Sequence, residues 1–565
     1  MNRRVQVILP GLLGAALALA GMLLLASAQR PSSAVAPARP KLIVVLVVDQ
    51  MRADYVERFR ARWHSGLRRL VDQGAWMTNA AYPYTATETC PGHATISSGD
   101  FPSRTGIVGN AWWDRQSSAR VTCTEDAAAR IVGMNRNGAG DSAARLETPS
   151  FAEQLRAAIA GSRTATMSAK ARSAAMLAGH RADVAVWVDE STGSLLTSTA
   201  YAEALPDVAR RFAEANPVAR DASRIWQLSA PPGTYSGGRS DAGEGPPAGW
   251  TTSFPHPLSV GEERTNATFV ARWRSSPFAD IWLEHLAAAT IDGMHLGAGN
   301  GIDFLGIGFS ATDYIGHAFG PDSREIEDNF LALDRTIGEL LATLDRSIGA
   351  GKYIVALSAD HGVAPIPEQA RLQGRDAGRA NAGEIVAAIE TVLAQELGEG
   401  RHVAHFLAPD LYFAPGVMAR LNADPDLWNA LRQAVLQKPG VAEFLRRGGP
   451  NARPNAQADA RAAGSLSAAL GSDTYPDRSG DVWIGLKPGW IFSGASGTTH
   501  GMPYDYDQRV PVILYGADIK PGRYDSPASP ADIAPTLAAI AHIGIARTDG
   551  RVLTEALAPA PSPSR

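Results

Sequence analysis

The sequence predicts an α/β protein built on a central, mostly parallel sheet flanked by helices. Three observations carry that reading. Short apolar runs rich in β-branched residues recur along the chain, among them KLIVVLVVD, DFLGIGF and KYIVALSADHG. Such runs mark strands buried on both faces of a parallel sheet. Between them lie stretches of helical periodicity, the alternation that strand–helix–strand crossovers require. Each run also leads into metal-ligating residue types: Asp49 closes the first, Asp313 and His317 follow the second, and Asp360 and His361 close the third. Open α/β sheets bind ligands at the carboxyl ends of their strands. The repeated placement therefore predicts a site gathered on one sheet edge.

Taken in order, the chain opens on an export signal. Arg3 and Arg4 precede an apolar stretch from Val5 to Ala26, and Ala26-Ser27-Ala28 is an A-x-A cleavage site, so residues 1–28 read as a signal peptide. The stretch is long for a signal peptide, and an uncleaved membrane anchor is the alternative. No other stretch is long and apolar enough to span a bilayer. Residues 29–40 form a Pro/Ala/Ser linker, and the catalytic α/β domain is expected over 41–557. Within it, SRTATMSA and ADVAVWV read as strands. Residues 231–250, rich in Gly, Pro and Ser, form a long loop. NFLALDRTIGELLATLDRSI has Leu and Ile at helical spacing. Residues 364 to about 485 read as an inserted subdomain with helices at AGEIVAAIETVLAQEL and DPDLWNALRQAVLQ, followed by the loop GGPNARPNAQADARAAG. RVPVILYG regains the sheet, and SPADIAPTLAAIAHI is a late helix with Ser or Asp near its start as a cap. Residues 558–565 read as a disordered tail.

Composition narrows the function classes. The 565 residues suffice for one large α/β domain with insertions or for two domains. Hydrophobic residues make up 45% and charged residues 19%, so a packed core is expected. A net charge of −4 argues against a general nucleic-acid binder. Only six residues are Lys, so a Lys at a candidate site is less expected by chance. The two cysteines, Cys90 and Cys123, belong to an exported chain, where disulfides persist. A bridge and a pair of buried thiols both remain open, because sequence does not give their separation in space.

Asp313 and His317 stand four residues apart and can face one ion from a single helical turn. His500, in GTTHG, completes a two-His, one-carboxylate set that leaves a coordination position open, as catalytic zinc does. Asp49, Asp360 and His361 form a second set. Neighbours such as Asp360 and His361 point to opposite faces of a regular strand, so they either serve two functions or sit on a strand-end bend. Oxygen ligands mixed with imidazole suit zinc, and their number exceeds the need of one ion, so two Zn2+ are expected. A lone Asp at a strand end is ordinarily a cap, and a lone His ordinarily a surface or hydrogen-bonded core residue. The threefold repetition of the placement reverses that reading here. TATETCPGHATISSG supplies a nucleophile: Thr89 precedes Cys90-Pro91-Gly92 at the start of a helix, where free N–H groups attract phosphate. A Thr hydroxyl is a weak nucleophile until a base or metal lowers its pKa. Alone it would be a plain N-cap, and Cys90 is the rival nucleophile.

The order of motifs is Asp49, TCPGH, Gly109-Asn110-Ala111-Trp112-Trp113-Asp114, the KxR of Lys170 and Arg172, DxxxH, DHG and GTTHG. It resembles the alkaline phosphatase superfamily, in particular the phosphate-irrepressible alkaline phosphatases with a Thr nucleophile, relatives of the nucleotide pyrophosphatase/phosphodiesterases. The resemblance runs from Lys41 to about Ile545. It implies an alkaline-phosphatase-like sandwich with inserted cap subdomains. It further implies Thr89 as nucleophile, and one zinc on Asp313, His317 and His500. The other zinc falls to Asp49, Asp360, His361 and the Thr89 oxygen. Asn110, Lys170 and Arg172 are implied to bind the phosphoryl oxygens. Ala171 stands where similar sequences often carry a polar residue, and His93 matches no ligand. The implied activity is that of a periplasmic or secreted zinc-dependent phosphomonoesterase acting on small phosphate esters through a phosphothreonine. It has no nucleic-acid-binding module and no membrane association unless the N-terminal segment is retained. The alternative is a phosphodiesterase or nucleotide pyrophosphatase on the same fold, which would need an apolar or base-stacking pocket and less positive charge. A sulfatase would carry C-x-P-x-R, whereas Pro91 follows Cys90 directly.

Overall fold

Five parallel strands form the centre of an 11-stranded sheet in a computed structural model of the chain. In spatial order they are Tyr353–Ser358, Leu42–Val48, Asp303–Phe309, Thr164–Ser168 and Val184–Val188. Leu42–Val48 lies in the middle and is buried along its whole length. Antiparallel pairing is confined to the flanks. Val512–Gly516 pairs with Tyr353–Ser358 on one side, and Leu195–Ser198 pairs with Val184–Val188 on the other.

The structure describes residues 39–134, 138–236, 240–259, 266–448 and 466–558. The segment expected as signal peptide, most of the expected linker, the expected tail past Ala558 and residues 449–465 of the expected loop lie outside the described residues.

Strand alternation divides the central run between two cores. Leu42, Val44, Leu46 and Val48 face a core shared with the helices Gly66–Gln73, Pro277–Gly293 and Arg324–Leu344. Ile43, Val45 and Val47 face the other, shared with Phe151, Leu155 and the helix Ile533–Ala541. Helices thus cover both faces, which is why a continuous apolar run is stable here as a strand. The long helix predicted from NFLALDRTIGELLATLDRSI spans Arg324–Leu344, and Ser323 caps it by accepting from Ile326 N at 3.2 Å.

After Tyr353–Ser358 the chain leaves the sheet and builds a four-stranded antiparallel sheet of Val403–Leu407, Asp410–Phe413, Val482–Leu486 and Val441–Arg446. The helices Ala382–Leu397 and Pro425–Leu436 pack on it around a separate apolar core that includes Ile389, Leu431 and Trp483. Trp113 stacks on His405 of this subdomain with ring centroids 4.8 Å apart, joining it to the segment that follows Asn110.

Candidate active site

The carboxyl edge of the parallel strands delivers the site. Asp49 follows Val48 directly. Asp360 and His361 follow Ser358 by two and three residues, past the last strand pairing. They therefore occupy a strand-end bend, which lets neighbouring side chains converge on one place. Asp313 and His317 lie on the helix Ala311–Phe319 after the strand Asp303–Phe309. Lys170 and Arg172 follow Thr164–Ser168, with Arg172 in the first turn of the helix Ala171–Ala178. His500 enters from the loop after the inserted subdomain.

Two ligand groups result: Asp313, His317 and His500, and Asp49, Asp360 and His361, with the potential ligand atoms of each within 4.8 Å of one another. His317 Nε2 is 3.1 Å and His500 Nε2 3.9 Å from Asp313 Oδ1. His361 Nε2 is 3.5 Å from both Asp49 Oδ1 and Asp360 Oδ2. The His361 and His500 rings stack with centroids 3.6 Å apart, so the groups adjoin. In all three imidazoles Nδ1 faces a backbone carbonyl: Thr498 O at 2.8 Å, Gly362 O at 2.9 Å and Thr87 O at 2.7 Å for His317, His361 and His500. An Nδ1–H donated to a carbonyl leaves Nε2 as a lone-pair donor aimed at the carboxylates, the arrangement found around metal ions.

The electrostatics agree with a cation site. Burial, with Asp313 and Asp360 as neighbours, pushes the Asp49 carboxyl well above its usual range. For Asp313 burial acts upward but His317 and Lys170 outweigh it, holding the carboxyl well below. Burial together with His361 and His317 pushes His500 well down, and burial lowers His361 despite Asp360 and Asp313. Both shifts favour the neutral imidazole, the form that binds metal, whereas at His317 the lowering by burial is outweighed by Asp313 and the shift is upward. Asp49 Oδ1 is buried without a hydrogen-bond partner. Two of the three buried carboxylates share a single ammonium: Lys170 Nζ contacts Asp49 and lies 2.5 Å from Asp313 Oδ2, while Asp360 meets only His93 and His361 among the ion-pairing groups of the described residues. Such an excess of buried negative charge fits further cations.

Thr89 is the first residue of the helix Thr89–Ser98, with Glu88 as the extended N-cap. Its Oγ1 lies 3.5 Å from His361 Nε2. Gly92 allows this helix to touch the strand end, since a Cβ there would collide with the Asp360 backbone. His93, whose Nδ1 is 3.2 Å from Asp360 Oδ2 and 3.0 Å from Thr89 O, braces both. Cys90 and Cys123 form a disulfide, which settles the pairing and removes Cys90 as a nucleophile. Asn110 is tied beside it: Cys90 N donates to Asn110 Oδ1 at 2.8 Å, Cys123 N to Asn110 O at 3.0 Å, and Asn110 N to Glu88 Oε2 at 2.7 Å. Those bonds commit every other polar group of Asn110 and leave its Nδ2 as the donor for a ligand. Asn110 and Arg172 line one cavity of about 600 Å³, with Trp187 in its wall. Lys170 sits behind it, fully buried between the two ligand groups.

Two supporting residues escaped the sequence reading. Gln50 has a left-handed φ of 67°, and it joins the ligand groups. Its N donates to Asp360 Oδ1 at 3.0 Å and its Nε2 to Asp313 Oδ1 at 2.7 Å. Gly316, inside DYIGH, is the only local sign of it, because a Cβ there would strike the Gln50 amide. Asp280 accepts from Ser310 N at 3.0 Å and Ala311 N at 3.2 Å, capping the helix that carries Asp313 and His317. Burial pushes its carboxyl up to about 7. Partners that orient ligands are worth about 10- to 100-fold in metal affinity. Gln50→Ala is accordingly expected to weaken metal retention by about that factor at both groups, read by competition with a metal-sensitive dye. Unchanged retention would show that the two bonds do not set ligand geometry.

A parallel sheet that brings two Asp/His groups to a buried Thr at a helix start defines a hydrolytic α/β enzyme. The chain belongs to the type I phosphodiesterase / nucleotide pyrophosphatase family, whose model matches residues 43–509. Alkaline phosphatase PhoV of Synechococcus elongatus is 31% identical over 554 residues, covering 94% of this chain and 97% of its own. Alkaline phosphatase PafA of Elizabethkingia meningoseptica is 31% identical over 523 residues, 89% of this chain and 92% of its own. The wild-type PafA crystal structure is similar with a TM-score of 0.81 at 29% identity, over 92% of this chain and 99% of that one. A crystallised PafA variant is substituted at a Thr, an Asn, a Lys and an Arg, in that chain order. Murine ectonucleotide pyrophosphatase/phosphodiesterase 5, at 13% identity over 92% of this chain and 100% of its own, shares the fold with a TM-score of 0.53.

Proposed function

We propose that this chain is an exported zinc-dependent alkaline phosphatase that hydrolyses phosphate monoesters through a phosphothreonine at Thr89. The observation that carries the reading is the meeting of two three-residue ligand groups with Thr89 at a helix N-terminus. Two zinc ions, on Asp313, His317 and His500 and on Asp49, Asp360 and His361, would lower the pKa of the attacking hydroxyl and balance charge on the entering and leaving oxygens. Thr89 Oγ1 attacks phosphorus, forming an O–P bond as the bond to the alcohol oxygen breaks. Water then attacks the phosphothreonine, the bond to Thr89 breaks, and inorganic phosphate leaves. Asn110 Nδ2 and the Arg172 fork donate to the equatorial oxygens, where charge builds during transfer. Lys170, anchored by Asp49 and Asp313, adds fixed positive charge behind them. Export is supported by the basic and apolar N-terminal segment and by the disulfide, which persists in oxidising compartments. Among the described residues no helix is long and apolar enough to cross a membrane.

The second reading, a diesterase, is favoured by one feature: the cavity beside Arg172 has Trp187 in its wall and could house a second ester group. Arg172 separates the two by experiment. A monoester brings two negative charges and a diester one, so a fixed cation on the phosphoryl side helps the monoester more. A charge-assisted hydrogen bond is worth about 1.5–3 kcal/mol, so losing the Arg172 fork costs on the order of 10- to 100-fold. Arg172→Ala, which leaves Lys170 on Asp49 and Asp313, is expected to cut monoester kcat/KM well beyond the diester value, measured with esters of one leaving group. Equal losses, or a wild type that prefers the diester, would promote the diesterase.

A further inference from the structure

Glu88 stands one position before Thr89, in extended backbone at the N-cap of the helix Thr89–Ser98, yet its side chain makes no capping bond to that helix. Ser, Thr, Asp, Asn and Gly are the residues preferred at such a position, so helix chemistry alone gives no account of a Glu there. The first turn shows why a cap from Glu88 has no use. A capping side chain serves the N–H of the second or third helical residue. The second, Cys90, already donates to Asn110 Oδ1 at 2.8 Å, and the third, Pro91, has no N–H. The Glu88 carboxylate reaches across instead and accepts from Asn110 N at 2.7 Å, 22 positions along the chain.

The two bonds make a reciprocal exchange between the segments. The Asn110 side chain caps the helix that carries Thr89, and the Glu88 side chain holds the Asn110 backbone. We infer that Glu88 is a positioning residue for phosphoryl transfer, fixing the Asn110 backbone so that Nδ2 keeps one place relative to Thr89 Oγ1. The inference rests on the phosphatase reading, in which Nδ2 donates to a phosphoryl oxygen, and adds a residue to it. Cys123 N holds the other side of the same residue by donating to Asn110 O at 3.0 Å. With the backbone held at N and O and the amide held at Oδ1, the direction of Nδ2 is set before a ligand arrives. A donor fixed in advance spends nothing on reorganisation when charge builds on the phosphoryl oxygens. Glu88 and Asn110 also line the same two adjoining cavities, so the pair borders open space beside the site, and shortening Glu88 opens no void in an apolar core.

The experiment measures kcat/KM for an aryl phosphate monoester, with Tm and metal content, in the metal-loaded full chain. The variants are Glu88→Asp, Glu88→Gln, Asn110→Ala and the combination of Glu88→Asp with Asn110→Ala. Asp keeps the charge and is a favoured N-cap residue, but it is one methylene too short to hold Asn110 N. Its rate is expected to fall about tenfold with Tm unchanged or raised. Gln keeps the reach and an acceptor oxygen, and is expected to stay within about threefold of wild type. Asn110→Ala is expected to cost about 10- to 100-fold, and adding Glu88→Asp to it less than about threefold more, because no Nδ2 is left to position. An Asp variant as fast as wild type, or a Gln variant as slow as the Asp variant, would overturn this inference alone. So would losses that multiply in full in the double variant, or a loss in the Asp variant matched by lost metal or a lower Tm. An Asn110→Ala variant as fast as wild type would remove Asn110 from phosphoryl binding and this inference with it. No turnover of the monoester by the wild type would overturn the phosphatase reading itself.

Discussion

Thr89→Ala is expected to lower monoester turnover at least about a thousandfold while leaving the fold and both ligand groups in place. Among the described residues, the Thr89 hydroxyl is the nucleophile candidate that stands beside both ligand groups. Thr89 Oγ1 is 3.5 Å from His361 Nε2, at the first residue of its helix and beside the ligand groups. Its neighbour Cys90 is consumed in the disulfide with Cys123. The side chain caps no helix, because Glu88 holds the N-cap position, so its removal should cost little stability. Wild-type enzyme quenched in acid during turnover should carry phosphate on the peptide containing Thr89, found by mass spectrometry. Thr89→Ser restores a hydroxyl and should recover a sizeable part of the rate. Label on another residue, or near-normal turnover in the Ala variant, would remove Thr89 from the mechanism.

Chelation is expected to abolish turnover, and zinc to restore it. His500→Ala should bind about one metal fewer per chain, because it takes a direct ligand from one group and leaves Asp49, Asp360 and His361 intact. His317→Ala should behave alike, since it leaves only Asp313 and His500 in that group. The orientation of the rings argues for ligation over a structural role. All three imidazoles point Nδ1 at a backbone carbonyl and Nε2 at a carboxylate. Metal content measured by elemental analysis and activity measured on the same samples should fall together. Full activity after verified metal removal would refute the two-metal reading, and unchanged metal content in both variants would refute the ligand assignment.

Much of the site could be read from the chain because its residues sit at places that local patterns reveal. Asp49 and Asp360/His361 end apolar β-branched runs, and Asp313 and His317 keep helical spacing after such a run. Thr89 opens a helix marked by Pro and Gly. The supporting residues give no comparable local signal. Gln50 reaches Asp313 across 263 positions, and Asp280 caps a helix that begins 31 positions later. Which carboxylates Lys170 would meet was equally hidden: its partners Asp49 and Asp313 are 121 and 143 positions away. The KxR pattern marks Lys170 and Arg172 as a pair, yet in the structure Arg172 lines a cavity while Lys170 is buried between the ligand groups.

By itself the sequence determined the α/β class, the buried strands, the principal helices and the residues that crowd the carboxyl edge. All of these follow from hydrophobic periodicity and from the chemistry of short motifs, which act over a few residues. Only the tertiary structure decided the rest. It set the strand order that places Leu42–Val48 between Tyr353–Ser358 and Asp303–Phe309, and so brings Asp49, Asp360 and Asp313 together. It closed Cys90 onto Cys123, put Asp360 and His361 on a bend, and packed Phe492 against Phe406 of the inserted subdomain. The physical reason is that register, packing and electrostatic coupling depend on distances between residues far apart in the chain. Those distances exist only once both faces of the sheet are covered and the strands are paired.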